Sequence, residues 1–343
     1  MDDRRSMNPR LPLVRLNLVE PLLQMLNKRG VEAEKTLELL SLKRAEVSDP
    51  DVFVPAPRMY QIVEALADLS GDPFFGIHAG EKLNPWAWSP LASIAHISST
   101  LGEFLLRFME NARQDASSVI YSLNTQNGRS TFYEQRVTDG GVLPRHNDGF
   151  TIAYLLAIIR GAVGSQWDGS RVLARCCDPE VIPSRYHGIR SARTDTLGAS
   201  LTFPAYWLLS PVAIERPATM KESTRLESSP TGALAGDFRK LISPYLHEFD
   251  LNMDRVAEIC GLSKRTLARR LQAKGTSARQ EILALRREKA EMALRDTTLA
   301  ISVVAAQVGY SDPGVFSRAF KRWTGMSPRN FRKASRAQTG NQR

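Results

Sequence analysis

The order of hydrophobic and polar positions divides the chain into a first part of mixed helices and strands and a last part that is helical. Apolar residues recur at three- and four-residue intervals over residues 19–69, a spacing typical of amphipathic helices. The spacing returns over residues 101–111, where Thr100 and Glu103 predict a capping box at the helix start. Both stretches are therefore predicted to be mainly helical.

Segments with the two-residue alternation of β-strands follow. Residues 118–123 and 130–137 alternate in this way, and the turn-rich residues 124–128 between them predict a hairpin. A buried helix and two more strands are predicted at residues 148–163, 171–177 and 196–203. This order predicts an α+β domain with an antiparallel sheet.

The hydrophobic period is lost over residues 215–232, where Pro, Ser, Thr and Gly alternate with charged residues. Such a composition is typical of an interdomain linker. The sequence therefore predicts a domain at residues 11–214, a linker at residues 215–232 and an all-α domain at residues 233–336.

The predicted all-α domain contains a sequence repeat. Residues 256–263 recur as residues 304–311, each copy with an apolar helix, a glycine and a serine. Glycine suits a tight turn between helices because it tolerates positive φ. Each copy continues into a second helix rich in Lys and Arg, and Asp312-Pro313 is typical of a helix start. The repeat predicts two helix-turn-helix motifs.

A single long helix is predicted between the motifs, at residues 278–296. Its length is about 28 Å at ~1.5 Å per residue, and successive major grooves on one face of B-DNA lie ~34 Å apart. A rigid helix of this length can hold two recognition helices one turn of DNA apart. The alternative is that the helix is only a core strut of an α-helical bundle.

The formal charge of +10 is concentrated in the same region. Residues 230–343 hold 21 Lys and Arg against 10 Asp and Glu, whereas residues 1–229 hold 25 against 26. A basic domain joined to a neutral one is expected of a polyanion binder, with nucleic acid favoured over an anionic membrane. RNA is less favoured, because major-groove helices do not fit A-form RNA. The predicted partner is double-stranded DNA.

Cysteine usage and the apolar runs indicate the compartment. Three cysteines, with Cys176 and Cys177 adjacent, argue against a secreted disulfide scaffold. The longest apolar stretch, residues 152–159, is too short for a membrane span, and no run resembles a signal peptide. We expect a cytoplasmic protein. Cys176 and Cys177 either sense oxidants or thiophilic metals or, as we favour, pack as small apolar residues on a strand.

Residues 235–334 resemble the AraC/XylS family of bacterial transcription regulators. The resemblance is carried by residues 309–312 (Gly-Tyr-Ser-Asp), by residues 316–321 (Phe-Ser-Arg-Ala-Phe-Lys) and by Gly325. Gly314 departs from the pattern, because the family usually carries serine there. Phe75-Gly76-Ile77 and residues 99–103 resemble the effector-binding and dimerisation domain of a subgroup related to ornithine-utilisation regulators.

The resemblance implies a homodimeric regulator, more often an activator, that binds promoter DNA, works with RNA polymerase and responds to an unidentified small-molecule effector. No cofactor, metal site or catalytic residue is predicted, since the five histidines lack ligand spacing and no nucleophile or nucleotide-binding motif occurs. Two other functions stay open: an architectural DNA-binding protein without ligand control, and an enzyme hidden in residues 11–214.

The candidate DNA-binding residues lie around the second helix of each motif. In the first motif, Leu267 and Leu271 are expected to face the core, which turns the opposite face outward. The candidates in the first motif are Ser263, Lys264, Arg265, Thr266, Ala268, Arg269 and Arg270. The candidates in the second motif are Ser311, Asp312, Gly314, Ser317, Arg318, Lys321 and Arg322, of which Lys321 and Arg322 suit phosphates.

The two recognition helices are expected to be unequal. Arg265 and Arg269 offer two guanidinium groups for guanine edges. The equivalent positions of the second helix hold Gly314, Ser317 and Arg318, which together offer one arginine and one short hydroxyl. The alternative is that all of these residues form only a solvated basic face.

The candidate effector pocket consists of Trp86, Trp88, Phe104 and Arg107. The aromatic side chains can line a small-molecule site, and the arginine can pair with a carboxylate effector. The alternative is that the aromatics belong to an ordinary core and that Arg107 lies on an exposed helix face.

Overall fold

The structure is a computed structural model that describes residues 11–83, 94, 97–138, 141–212 and 233–340. The chain divides into two units, one of residues 12–228 and the other of residues 229–343 together with residues 1–11. The predicted linker at residues 215–232 lies outside the described residues.

The first unit begins with short strands and amphipathic helices. Strand β1 (Leu13–Arg15) pairs antiparallel with β2 (Phe53–Pro55). The helices are α1 (Glu20–Lys28), α2 (Ala33–Leu39), α3 (Arg44–Ser48), α4 (Ala56–Ser70) and α5 (Phe75–Lys82). Their apolar faces form a hydrophobic core that includes Leu23, Leu26, Ile62 and Leu66. The helical spacing of the sequence is therefore explained by burial on one face of each helix.

Helix α6 (Leu101–Asp115) leads into a sheet of five described strands. Thr100 accepts a hydrogen bond from the backbone N–H of Glu103, as predicted for the start of this helix. The strands are β3 (Val119–Gln126), β4 (Arg129–Arg136), β5 (Leu173–Cys176), β6 (Arg190–Arg193) and β7 (Gly198–Pro204). They lie in the order β3-β4-β7-β5-β6, antiparallel except for the parallel pair β5–β6.

The predicted hairpin is the β3–β4 pair, in which Gln126 lies opposite Arg129. Asn127 and Gly128 make the turn with φ of 51° and 71°. Two consecutive positive φ angles are what a two-residue type I′ hairpin requires. The predicted buried helix is α7 (Arg145–Val163), which packs in a second core with Phe132, Leu201 and Phe203 of the sheet. The α+β class with an antiparallel sheet is confirmed.

The described part of the second unit, residues 233–340, is helical. Its helices are α8 (Ala233–Ile242), α9 (Met253–Ile259), α10 (Lys264–Gln272), α11 (Ala278–Asp296), α12 (Ile301–Gln307), α13 (Pro313–Thr324) and α14 (Pro328–Gly340). Helix α11 has the bounds predicted for the long connecting helix. No helix in the described part of the chain has the length and apolar character needed to cross a membrane.

Candidate functional site

The second unit contains the two predicted helix-turn-helix motifs, α9–α10 and α12–α13. Gly261 and Gly309 lie in the turns with φ of 61° and 76°, the left-handed conformation that favours glycine. Ser263 caps α10 by accepting from the N–H of Thr266, and Asp312 caps α13 by accepting from the N–H of Val315 at 2.8 Å. The repeated sequence therefore folds into a repeated turn.

Helix α10 presents the predicted arginine face. Leu267 and Leu271 are fully buried, whereas Arg265, Ala268 and Arg269 are exposed. The guanidinium groups of Arg265 and Arg269 form no hydrogen bond or ion pair with the described residues. Both are therefore available to an acceptor outside the protein.

The other polar residues of the first motif are used at the helix start. Lys264 Nζ lies 2.7 Å from Asp254 Oδ1, and the hydroxyls of Ser263 and Thr266 lie 2.9 Å apart. Arg270 is half-buried at the end of the exposed face. Of these contacts, the exposed Lys264–Asp254 pair is the one that joins α10 to α9.

Helix α13 presents fewer polar groups. Ser317 Oγ donates to the carbonyl oxygen of Pro313 at 2.8 Å, so its proton is already used within the helix. A Cβ placed on Gly314 would lie 2.9 Å from Asp312 Oδ1 and 3.7 Å from Arg318 Nη1. Arg318 is therefore the arginine that this face exposes beside Gly314. The predicted Lys321 and Arg322 are exposed further along the helix, and Ser311 is exposed just before it.

Helix α11 contacts the second motif and the segment that precedes the first motif through Arg286. Its guanidinium lies 5.5 Å from the ring centroid of Tyr310, in the second motif, and its Nη2 lies 3.5 Å from the carbonyl oxygen of Glu248, which precedes the first. Burial lowers the pKa of Arg286. Gly309 closes the same junction, because a Cβ there would lie 2.3 Å from the carbonyl oxygen of Leu246. Helix α11 thus meets the second motif and the segment that precedes α9 at one point.

A cavity of about 130 Å³ lies inside the first unit, between its two hydrophobic cores. Strands β1, β3 and β4 and helices α1, α4, α6 and α7 contribute to its walls. The apolar lining is formed by Val14, Leu18, Leu22, Met59, Val63, Phe108, Val119, Phe150 and Leu155. Such a mainly apolar cavity with a few polar groups is the usual form of a small-molecule site.

Glu134 of β4 supplies the carboxylate of this cavity and is only 4% exposed. Its Oε2 accepts hydrogen bonds from the hydroxyls of Tyr121, at 3.0 Å, and Thr151, at 3.2 Å. Burial, followed by the negative charge of Asp148, raises the pKa of Glu134 to about 7 against the opposing effect of Arg136. This group can therefore change charge near neutral pH.

A buried ion pair lies beside Glu134. The guanidinium of Arg136 donates to Asp148 Oδ1, and both side chains are almost completely buried. Asp148 Oδ2 also accepts from the backbone N–H of Cys177 at 3.0 Å. Arg136 is therefore already paired and does not neutralise Glu134 by itself.

Of the predicted effector-pocket residues, Phe104 and Arg107 do not line this cavity. Trp86 and Trp88 lie outside the described residues. Phe104 is fully buried in the core of the sheet, and Arg107 donates to Glu103 Oε1 at 2.8 Å. Helix α6 instead contributes residues one and two turns further on, namely Phe108, Asn111 and Ala112. The binding of an effector by the four predicted residues stays a prediction.

The adjacent cysteines are shielded. Cys176 is buried, and burial raises its pKa to about 12. The pKa of Cys177 is raised for the same reason. Both thiols are therefore protonated at neutral pH, which favours packing over redox reactivity. Within the described ranges, no group of three or more His, Cys, Asp or Glu side chains could hold a metal ion.

A neutral α+β unit with an internal cavity, on one chain with two helix-turn-helix motifs, defines the class of DNA-binding regulator that carries its own ligand-binding domain. Residues 30–212 match the arabinose-binding domain of AraC transcription regulators, N-terminal, and residues 256–334 match a helix-turn-helix domain. The first match spans more than half of the chain. The chain therefore belongs to the AraC family of transcription regulators, and the resemblance seen in the sequence is confirmed.

Individual relatives match along most of the chain. The ornithine utilization regulator of Pseudomonas aeruginosa is 23% identical over 96% of this chain and 99% of its own. The HTH-type transcriptional regulator VirS of Mycobacterium tuberculosis is 25% identical over 82% of this chain and 85% of its own. Among solved structures, the transcriptional regulator CdpR from Pseudomonas aeruginosa matches with 18% identity and a TM-score of 0.42, covering 92% of this chain and 98% of that one. This protein is a ligand-responsive DNA-binding transcription regulator.

Proposed function

We propose that this protein activates transcription by reading two successive major grooves of promoter DNA, one with α10 and one with α13. The observation that carries the proposal is helix α11, which is 19 residues long and contacts the surroundings of both motifs through Arg286. Its length of about 28 Å, at ~1.5 Å per residue, is close to the spacing of successive grooves. The two recognition helices then bind DNA as one rigid unit.

Helices α10 and α13 contribute unequally to the recognition of the base sequence. Arg265 and Arg269 of α10 carry unengaged guanidinium groups, each suited to a bidentate contact with guanine. Helix α13 offers Arg318 beside the bare backbone of Gly314, and Lys321 and Arg322 bind phosphates. Sequence specificity therefore comes mainly from the half-site that α10 reads.

The first unit binds the effector and mediates self-association. It binds a ligand and does not transform it, and the protein acts in the cytoplasm together with RNA polymerase. A homodimer formed through residues 11–214 places two DNA-binding units on paired sites, as expected for a two-fold symmetric regulator. Sedimentation of the full chain at micromolar concentrations checks this association.

A binding scan tests the DNA-reading proposal. Genome-wide mapping of bound DNA supplies natural sites, and every position of one site is then substituted. Arg265→Ala and Arg269→Ala should each relax base preference in one half-site only, by about 1–3 kcal/mol. Lys321→Ala should behave differently, because it should weaken binding to all sequences. It should also reduce by about one the slope of the logarithm of the binding constant against the logarithm of salt concentration.

Equally sharp preferences in both grooves, unchanged by Arg265→Ala and Arg269→Ala, would show that α10 does not read the bases. A solvated basic face predicts a different result, in which all three variants weaken binding by a similar factor on every sequence.

A further inference from the structure

Among the described residues at the cavity of the first unit, the buried acidic groups outnumber the basic ones. Glu134 and Asp148 are acidic, whereas Arg136 is the basic side chain that contacts them and is paired with Asp148. With Glu134 ionised, the three groups together carry a charge of −1. A cationic ligand would neutralise the site, whereas an anionic ligand would add a second uncompensated charge in a buried place.

Glu134 lines this cavity, and both of its hydroxyl donors bond to the same carboxylate oxygen. Tyr121 and Thr151 both donate to Oε2. Among the described residues, no group donates a hydrogen bond to Oε1. This oxygen can therefore accept a hydrogen bond from a ligand that supplies an N–H group.

Aromatic rings form much of the remaining wall. Tyr60, Phe108, Tyr121, Phe150 and Tyr154 all line the cavity. The faces of aromatic rings attract cations, and aromatic cages are a common means of binding ammonium groups. The rings of Phe108 and Tyr121 lie edge to face at 4.9 Å between centroids, so they form a continuous wall.

We propose that this cavity binds a protonated primary or secondary amine on a small apolar body, with its ammonium group hydrogen-bonded to Glu134 Oε1. The inference rests on the proposed function, in which the first unit binds the effector. The cavity volume of about 130 Å³ limits the apolar body to about the size of benzene, which an apolar cavity of ~150 Å³ accommodates. Val63, Phe108 and Leu155 contact this body, and Tyr121 and Thr151 hold the carboxylate in place.

Three probes of similar shape and different charge test the proposal on the full-length protein. They are 2-phenylethylamine, its neutral counterpart 2-phenylethanol, and the anion 3-phenylpropionate, each titrated by calorimetry at pH 7. The amine should bind about 10- to 100-fold more tightly than the other two, because it alone makes a charge-assisted hydrogen bond to the buried carboxylate. Binding of the alcohol or the carboxylate as tightly as the amine would overturn the proposal.

Proton release gives an independent signature. Below pH 7 part of the protein carries a proton on Glu134, and an ammonium group can bind only after that proton leaves. The groups that face Glu134 are Tyr60, Tyr121, Arg136 and Asp148. Calorimetry of the amine at pH 6 in buffers of different ionisation enthalpy should show release of most of one proton, because a group with a pKa of about 7 is largely protonated at pH 6. Proton uptake, or no proton exchange, contradicts the assignment.

A matched pair of variants locates the effect. Glu134→Gln keeps the shape and an acceptor for Tyr121 and Thr151 but removes the charge, so amine binding should weaken by about 10-fold or more. Glu110→Gln makes the same change at an exposed position of α6 and should leave amine affinity unchanged. The ranking of the three probes on the wild-type protein needs no variant, so it decides the question even if Glu134→Gln folds poorly.

A failure of the amine proposal can be distinguished from a failure of the DNA-reading proposal. DNA binding by the same preparations reports on α10 and α13 alone. A dissociation constant of about 10 mM is weaker than that of nearly all specific ligands. If the amine shows no saturable binding up to about 10 mM, the amine proposal is overturned. Normal DNA binding in that experiment would leave the DNA-reading proposal standing.

Discussion

Glu134 shows how one buried side chain links stability to pH. Its pKa is about 7 in the folded protein, against 4.5 for an unperturbed glutamate. Between these pH values the folded protein keeps a proton that the unfolded chain has lost. The stability associated with Glu134 is therefore fully present below about pH 4.5 and is lost as the pH rises toward 7.

Glu134→Gln should remove this dependence. Relative to the wild type, the variant should gain about 2 kcal/mol of unfolding free energy between pH 5 and pH 8, at ~1.4 kcal/mol per pKa unit. Urea unfolding of the full chain, followed by circular dichroism at both pH values, measures the change. Glu110→Gln is the matched control, and only Glu134→Gln should show the trend. A difference between Glu134→Gln and wild type that is the same at both pH values would mean that Glu134 does not titrate in this range.

Gly309 is a position where backbone conformation and close packing both require glycine. Its φ is +76°, and a Cβ would lie 2.3 Å from the carbonyl oxygen of Leu246 and 2.6 Å from Arg286 Nη2. Gly309→Ala should therefore destabilise the second unit by about 3 kcal/mol, through both conformational strain and overpacking. Hydrogen exchange of backbone amides in α11 and α12 of the full chain measures the loss locally.

Gly275→Ala separates the two causes. Gly275 has a φ of +73° but no neighbouring atom within 4 Å of the Cβ position. It should lose only the conformational part, about 1–2 kcal/mol. Equal losses at the two glycines would mean that the junction with Leu246 and Arg286 tolerates a methyl group.

At the scale of helices and strands, the sequence predicts elements that local patterns encode. Helix α11 is one unbroken run that Ser277 caps at its start, and the hairpin turn is Asn127-Gly128. Strand β6 (Arg190–Arg193) was missed because its Arg-Ser-Ala-Arg sequence lacks an apolar face. Its place in the sheet depends on parallel pairing with β5, which no local pattern encodes.

The cavity was missed for a related reason. Its polar groups come from distant parts of the chain, since Tyr60 lies on α4, Glu134 on β4 and Tyr154 on α7. One signal was present in the sequence. The alternation of β4 places Glu134 and Arg136 on the same inward face as Phe132, and charged residues on the buried face of a strand are exceptional. The exposed basic faces of α10 and α13 were easier to predict because one short helix carries each set.

Helix α11 should set the relative orientation of the two recognition helices through Arg286. Arg286→Ala removes the contacts with Tyr310 and with the Glu248 carbonyl. Affinity for a site with both half-sites should fall about 10-fold, because the two helices must then be aligned during binding. Affinity for DNA containing only the α10 half-site should change little. Fluorescence anisotropy with the two duplexes measures both affinities.

Arg287→Ala provides the control for that substitution. Arg287 is the next residue of α11, is exposed and pairs with Glu291 at 2.7 Å. Both variants lose one positive charge, so the general electrostatic cost is shared. A loss of two-site affinity that is the same for both variants would mean that the buried contacts of Arg286 do not align the motifs.

At the scale of the whole molecule, charge and cavity are segregated. The basic excess belongs to residues 230–343, and the internal cavity belongs to residues 12–228. A ligand in the cavity changes DNA binding only if it favours one state of the protein over another. A shift from 1% to 99% of the active state requires a preference of about 10⁴-fold.

The segregation also predicts that the second unit works alone. Its helices bury Phe316, Phe320 and Leu294 against one another, and α8 is tied to α11 by Arg239, whose Nε donates to Glu281 at 2.6 Å. A fragment of residues 233–343 should therefore fold and bind DNA.

If this fragment contacts ~6–8 phosphates, the logarithm of its binding constant should fall with the logarithm of salt concentration with a slope of about −5 to −7. Anisotropy titrations of a labelled duplex across a series of salt concentrations give the slope, and a fragment of residues 12–228 should not bind. A folded fragment of residues 233–343 whose affinity barely changes with salt would show that the basic charge of this unit does not contact the DNA backbone.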